Sequence, residues 1–564
     1  MKKLNEKFAD TVKGGMKLKS CAERNEISFT LFELKTGPPY AWFKWKEKIS
    51  LSKIGRRNFG EFYTILNNRI SVLDERVNES EAAIPVSELC SICFEERALP
   101  EDHPEVVGVR GKLPEDEREG YRPGEICLNV DRHRMNVKTG LETLFAIKFD
   151  GAASIEASTE TPSSEVSNSP LYKIVEAIKR ILPERLNKRK DLIEEFSNHT
   201  VIFHSVKSWN ILGRQSMYAL NREAPSPGEE DAGKGEIFDV AFIKGDGDNF
   251  GLIKSSMSNL TFYREVSRIF EDVIQRSLAL ALSEVIIHQL LLYTDKYAAS
   301  SAKSKEKPRY LKLPFDILYF GGDDFMLVLD AGFVFTFLKA FRDAIVKRLG
   351  PRKKEYEKLD DSNLSIFPLG VSLGVVVAPN RAPIHGTLEA LTTLCEEAKE
   401  KSKRFQKSTD RGSVYGGEVC VSLERFTTIP SKEFAKEAHA QAIVGSTKIC
   451  RTSWPLLGSE LFPENTPTTD SYPLLRLVEE LLNCGLRSNN IAMFADVYMP
   501  KDDVELRIRY RATHMEKNSP QRKGYVLLAD NLTVTEDDCV KFRNRDAANI
   551  MKIIHDDKRL LPMD

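Results

Sequence analysis

The sequence predicts an α+β protein on three observations. Between Ile237 and about Arg425, apolar runs and helical stretches alternate in the order strand, helices, hairpin, helix, strand, helix. That order builds a sheet with helices packed on it. Ahead of it, from Tyr172 to Phe196, the residues Ile174, Ile178, Ile181, Leu182 and Leu186 recur at the spacing of one helix face. Behind it, from Ser431 onward, helical stretches such as Leu474 to Leu482 outnumber a few strand-like runs. A chain of 564 residues exceeds one ordinary core, and such a length points to roughly three or four units.

Taken in order, residues 1–85 form an N-terminal α/β block, β-rich from Ile27 to Leu34 and Tyr40 to Trp45 and more helical from Phe59 to Val77. Residues 86–150 contain the close cysteine pair and a long charged excursion. Two stretches rich in Ser, Thr, Pro, Gly and acids, Ser154 to Ser169 and Arg222 to Glu236, read as linkers on either side of a helical region at 172–221. The sheet domain is expected at 236–430 and a mainly helical C-terminal domain at 431–564.

Composition narrows the class. With 41% hydrophobic and 29% charged residues and a formal net charge of -1, the chain is globular in character and has no global basic excess that would mark it for nucleic acid. Lys44, Lys46, Lys48, Lys53, Arg56 and Arg57 make a local basic face, suited either to phosphates or simply to solvent. Nine scattered cysteines do not form a secreted disulfide framework, and Met1-Lys2-Lys3-Leu4 leads into mixed polar residues, with no apolar signal segment. The most apolar stretch, Leu278 to Leu292, is interrupted by Ser283, Glu284, His288 and Gln289, so it is expected as a buried helix with no membrane role. Reducing cytoplasm is the expected compartment.

Two motifs carry the chemistry. In Phe320-Gly321-Gly322-Asp323-Asp324-Phe325, apolar strands flank a glycine turn, which places adjacent carboxylates at a hairpin tip. Two neighbouring anions repel, and a divalent cation neutralises them. An ordinary solvated turn fits the same six residues. In Lys244-Gly245-Asp246-Gly247-Asp248-Asn249-Phe250-Gly251, Asp246 sits at the exit of the strand Ile237 to Ile243, between glycines that admit a close phosphate or metal. A turn or a partial calcium loop is the alternative, although no bidentate Glu closes a twelve-residue loop. In combination the motifs gather three acids at one sheet edge, able to clamp two metals ~3.5–4 Å apart. Such a site serves nucleotidyl transfer by positioning and charge neutralisation, without a His or Ser nucleophile.

These residues resemble the catalytic palm of the large subunit of type III CRISPR effector complexes, the CRISPR polymerase that makes cyclic oligoadenylates from ATP. Gly370-Val371-Ser372-Leu373-Gly374-Val375 is similar to that family's last palm strand, and Glu397-Ala398-Lys399 to its following helix. The resemblance implies a ferredoxin-like palm of the GGDEF and adenylyl-cyclase kind. It implies metal at Asp246, Gly247, Asp323 and Asp324, and nucleotide contacts at Asp248, Asn249, Gly321, Gly322, Ser372 and Lys399, with Lys399 on β- or γ-phosphate oxygens. Asp248 is equally compatible with bracing the loop away from the metals, and Lys399 with a solvated helix position beside Lys401 and Lys403. Diguanylate cyclases share the palm, but their hairpin reads Gly-Gly-Asp/Glu-Glu-Phe; the two Asp residues here favour ATP.

Cys90-Ser91-Ile92-Cys93 resembles the zinc-binding insertion that many of these subunits carry between two palm-like domains. The family has two such pairs; here Cys127 and His133 would complete a Zn2+ site with Cys90 and Cys93, the alternative being a reduced pair without metal. A catalytically degenerate palm is expected in residues 1–85 by analogy alone. Larger members begin with a histidine-aspartate nuclease, yet no His precedes His103 and His555-Asp556 lies near the other end, so DNA cleavage is not expected. The resemblance implies ATP and Mg2+ or Mn2+ as substrate and cofactor, and guide RNA, target RNA and small partner subunits as company. A stand-alone cyclic dinucleotide synthase and a silent palm scaffold are the alternatives.

Overall fold

The structure, a computed structural model, describes residues 26–34, 42–50, 99–110, 143–156, 170–197, 199–204, 209–216, 238–248, 260–297, 309–359, 369–408, 416–444, 446–463, 472–495, 500–536 and 538–562. The chain divides into two compact units. One comprises Met1–Leu89, Asn249–Ile269 and Lys354–Phe367. Within it, β1 (Glu26–Leu34) and β2 (Trp42–Ser50) pair as an antiparallel hairpin, Glu26 opposite Ser50 and Leu34 opposite Trp42, where the sequence reads as β-rich. Beyond that hairpin the degenerate palm expected in residues 1–85 lies outside the described residues, as do Cys90, Cys93, Cys127, His133 and Asn249.

The other unit opens with a four-stranded sheet in the order β4-β3-β5-β7, from β3 (Thr143–Phe149), β4 (Ala153–Glu156), β5 (Thr200–His204) and β7 (Arg309–Lys312). Between β4 and β5 runs α1 (Pro170–Leu186), whose Ile174, Ile178, Leu182 and Leu186 are fully buried, while Ile181 is half-buried at the margin of that face. The segment 172–221 therefore contains the expected helix and also a strand, β5.

The central sheet is built from β6 (Asp239–Gly247), α2 (Leu260–Tyr297), β8 (Phe315–Gly321), β9 (Asp324–Asp330), α3 (Val334–Leu359), β10 (Leu369–Pro379), α4 (Ile384–Ser408) and β11 (Gly416–Arg425). Its order is β14-β11-β10-β6-β9-β8, with β14 at Leu456–Leu457. The four strands β10-β6-β9-β8 and helices α2 and α3 make the split βαβ arrangement of a ferredoxin-like fold, antiparallel at each of those pairings. β11 then adds parallel to β10 through α4. β6 is central, and the run Val240-Ala241-Phe242-Ile243 is accordingly buried on both faces.

The apolar middle of α2, Phe270–Tyr293, is long and apolar enough to cross a membrane by length and composition, and it is mostly buried inside the fold. Several of its polar atoms are paired there, while Ser277 Oγ and Gln289 Oε1 are buried without a hydrogen-bond partner. Ser283 Oγ donates to the Ala279 carbonyl at 2.7 Å, His288 Nε2 lies 2.6 Å from the Arg559 carbonyl and Nδ1 2.7 Å from Thr336 Oγ1, and Gln289 Nε2 donates to the Lys312 carbonyl at 3.0 Å. Burial pulls the His288 imidazole down to about 4, so it stays neutral at ordinary pH.

After β11 come α5 (Lys432–Ala438), β12 (Gln441–Val444), β13 (Thr447–Cys450), α6 (Leu474–Asn483), α7 (Lys501–Thr513), α8 (Pro520–Asp530), β15 (Thr533–Glu536), β16 (Cys539–Phe542) and α9 (Asn544–Ile553). Beside these helices a four-stranded sheet, β12-β13-β16-β15, occupies the region read from sequence as mainly helical. Its strands are four residues each, too short to carry a clear period. Buried Asp546 docks α9 by accepting from the Ser453 amide (2.6 Å) and the Thr452 hydroxyl (2.7 Å).

Candidate metal and nucleotide site

Side chains alternate across a strand, so Lys244 and Asp246 of β6 face one side of the sheet while Gly245 and Gly247 face the other. On the first side lies α4: Lys244 Nζ donates to Thr392 Oγ1 at 3.2 Å, and Lys399 Nζ forms an ion pair with Asp246. On the second side the glycines make room for the hairpin. An added Cβ at Gly245 would overlap the Phe325 ring, with Cδ1 at 2.9 Å, and one at Gly247 would lie 3.0 Å from Asp323 Cβ. These glycines thus fit neighbouring side chains, where the sequence alone suggested room for a phosphate.

The hairpin closes over two residues, Gly322 and Asp323, between the paired Gly321 and Asp324. Gly322 takes φ +66 at the first central position, where mirror-image hairpin turns favour glycine. Continuing the β6–β9 register beyond Gly245 opposite Phe325 brings Asp324 alongside Asp246. Asp246, Asp323 and Asp324 each offer a carboxylate oxygen, and these oxygens all lie within 4.8 Å of one another.

The electrostatics of this cluster suit a cation. Burial first, then the charges of Asp246 and Asp323, push the Asp324 carboxyl up to about 6. Its Oδ1 is buried without a hydrogen-bond partner. An all-oxygen donor set with an unsatisfied buried acceptor fits a hard divalent cation such as Mg2+ or Mn2+. Because only the ionised carboxylate ligates, Mn2+ affinity is expected to fall roughly tenfold per pH unit below about 6 for the one proton displaced. Titrations followed by electron paramagnetic resonance at pH 7 and pH 5 measure this; equal affinities would contradict it. Without metal the same raised carboxyl acts oppositely, its contribution to stability being present at low pH and lost as pH rises through about 6.

Lys399 pairs directly with Asp246. Burial draws its ammonium down, but the hydrogen bond and charge of Asp246 outweigh that, leaving it above the usual lysine range. Gly321 and Gly322 are at the hairpin tip, as expected. Asp248 and Ser372 are not open to a nucleotide. Ser372 is fully buried, and its hydroxyl donates to Asp248 Oδ1 at 2.5 Å. The Ser402 hydroxyl donates to the other oxygen of Asp248 at 2.7 Å. Of the two roles considered for Asp248, the geometry matches bracing the loop. Glu397, beside Lys399 in sequence, instead meets His439 at 2.6 Å and accepts from Ser422.

Sequence reading passed over Tyr319. It is half-exposed on the edge strand β8, and an added Cβ at Gly321 would lie 2.7 Å from its hydroxyl. Burial, then Asp324 and Asp323, hold its phenol above the usual range. The period-two pattern of β8 places Tyr319 on the side of Gly321, a signal available in the sequence.

Residues 239–406 match the family model described as Cas10/Cmr2, second palm domain. No curated protein matches the chain.

Proposed function

We propose, from the match of residues 239–406 to the Cas10/Cmr2 second palm domain, that the chain is a Cas10-like type III CRISPR subunit and that this palm joins ATP molecules into 3′–5′ linked, cyclic oligoadenylate second messengers. The observation that carries the reading is the convergence of Asp246 with Asp323 and Asp324 within 4.8 Å, next to Lys399. In each joining step the 3′-hydroxyl of one nucleotide bonds to the α-phosphorus of the next. The bond from that phosphorus to the bridging oxygen breaks, pyrophosphate departs, and the hydroxyl proton passes to solvent.

Asp246, Asp323 and Asp324 would hold Mg2+ or Mn2+, which when bound supplies Lewis-acid activation of the hydroxyl and charge neutralisation for the leaving pyrophosphate. Lys399, the α4 cation paired with Asp246, would exchange Asp246 for β- or γ-phosphate oxygens. The Gly321-Gly322 turn keeps the tip low enough for a triphosphate to lie across it. A zinc site at Cys90, Cys93, Cys127 and His133 belongs to the same reading. So do a cytoplasmic setting, assembly with guide RNA and small partner subunits, and activation by target RNA.

The purified chain with each labelled nucleoside triphosphate and Mn2+, with and without target RNA and partner subunits, tests the proposal by mass spectrometry. Oligoadenylates from ATP are expected. Cyclic di-GMP from GTP would replace this reading with a dinucleotide synthase, and no product under any condition would leave a palm scaffold.

A further inference from the structure

Asp248 is a buried acid for which the metal site has no use. It stands at the end of β6 with its carboxylate 2% exposed as a residue, a costly placement for a charge. Its two oxygens are divided between two elements: Oδ1 accepts from Ser372 on β10 at 2.5 Å, and Oδ2 accepts from Ser402 on α4 at 2.7 Å. Its amide donates to the Gly370 carbonyl at 2.9 Å. The absence of a side chain at Gly370 is what admits it, because an added Cβ there would lie 2.7 Å from Oδ2.

Ser402 follows Lys399 by three residues, so the two share one face of α4 about a turn apart. One turn earlier, Cys395 Sγ meets the Ser372 carbonyl at 3.6 Å, and Gly374 lets the helix close on β10, an added Cβ being 2.7 Å from the Cys395 amide. Helix α4 is thus fastened to the sheet on both sides of Lys399 along the same face. The carboxylate of Asp248, next after β6, ties the C-terminal side of α4 to the strand that carries Asp246, as Lys244 ties its earlier turns through Thr392.

We propose that Asp248 is a positioning residue, which through Ser402 fixes the rotation and height of α4 so that Lys399 is aimed at the metal-bound triphosphate beside Asp246. The assignment rests on the nucleotidyltransferase reading of this palm and gives a role to the second acid of the Gly245 to Gly251 loop. Asp248 itself touches neither metal nor nucleotide.

Ser402→Ala tests it in the full chain, since removing one hydroxyl spares the buried acid and its Ser372 partner. The probe is a non-hydrolysable α,β-methylene analogue of ATP with Mn2+, read by calorimetry, and Mn2+ alone, read by electron paramagnetic resonance. Analogue binding is expected to weaken about fivefold, as for loss of one hydrogen bond, while Mn2+ binding alone stays within about twofold. In a Lys399→Ala background the same substitution is expected to add nothing further, because its effect passes through that lysine. Unchanged analogue binding in Ser402→Ala overturns the assignment, and so does an equal loss in the Lys399→Ala background. Absence of any oligoadenylate product defeats the proposed activity without touching this binding result, so the two failures are distinguishable.

Discussion

Replacing Asp323 and Asp324 together with alanine is expected to abolish nucleotide joining, by on the order of a thousandfold or more, without unfolding the palm. Two of the three clustered carboxylates go, and with them the means of holding a divalent cation against the triphosphate. The fold has little reason to suffer. Both residues are at a hairpin tip, half-buried, and the Asp324 carboxyl already sits at about 6 because burial and two neighbouring charges oppose its ionisation. In metal-free buffer the double variant should therefore unfold at the same temperature as the parent or slightly higher. Adding Mn2+ should reverse the ranking, since ligand binding to the folded state contributes about 2.7 kcal/mol at a hundredfold excess over Kd. Thermal unfolding with and without Mn2+, alongside mass spectrometry of nucleotide products, gives both halves. Retained synthesis in the double variant would falsify the assignment of the site.

Gly245→Ala is expected to have a large effect on the fold of the palm. At this position the β6 backbone lies against the ring of Phe325, which is 1% exposed and packed edge-on against Phe341 at 5.3 Å. A methyl group there overlaps the ring, so either Phe325 leaves its rotamer or β6 and β9 separate. Overpacking of this kind costs about 1–3 kcal/mol, and more where backbone must yield. Since β6 bears Asp246 and β9 begins at Asp324, the same displacement should weaken Mn2+ binding. Gly322→Ala makes the contrast: nothing lies within 4 Å of its added Cβ, and only the φ of +66 opposes it, worth about 1–2 kcal/mol. Denaturant unfolding of the two variants should rank Gly245→Ala as the more damaged, and Phe325→Leu in that background should restore part of the loss. Equal stability of Gly245→Ala and the parent would mean that the ring has room to move.

Much of the site was legible because it is written in local signals. The hairpin at Gly321 to Asp324 and the strand exit at Asp246 are turn chemistry and period-two patterning, which act over a few residues. The buried helix within α2 was equally legible from its apolar run. Less legible were β14, two residues long, and the short strands of the C-terminal sheet, which lack the length for a period. Tyr319 was overlooked for another reason: a tyrosine in a strand is ordinary until the tip beside it is known to gather carboxylates.

Asp246 and Asp248 mark the boundary between the two kinds of information. By itself the sequence determined that these acids leave one strand on the same side, between glycines, and that a two-carboxylate turn follows after a helical stretch, read there as two helices and found among the described residues as the single long helix α2. Only the tertiary structure decided that Asp246 stays at the open rim beside Lys399 while Asp248 is sealed under α4. That decision comes from Ser372 and Ser402, 124 and 154 residues away in the chain. A carboxylate's environment depends on which distant donors the sheet register and helix packing bring to it, and spacing along one strand carries no record of them.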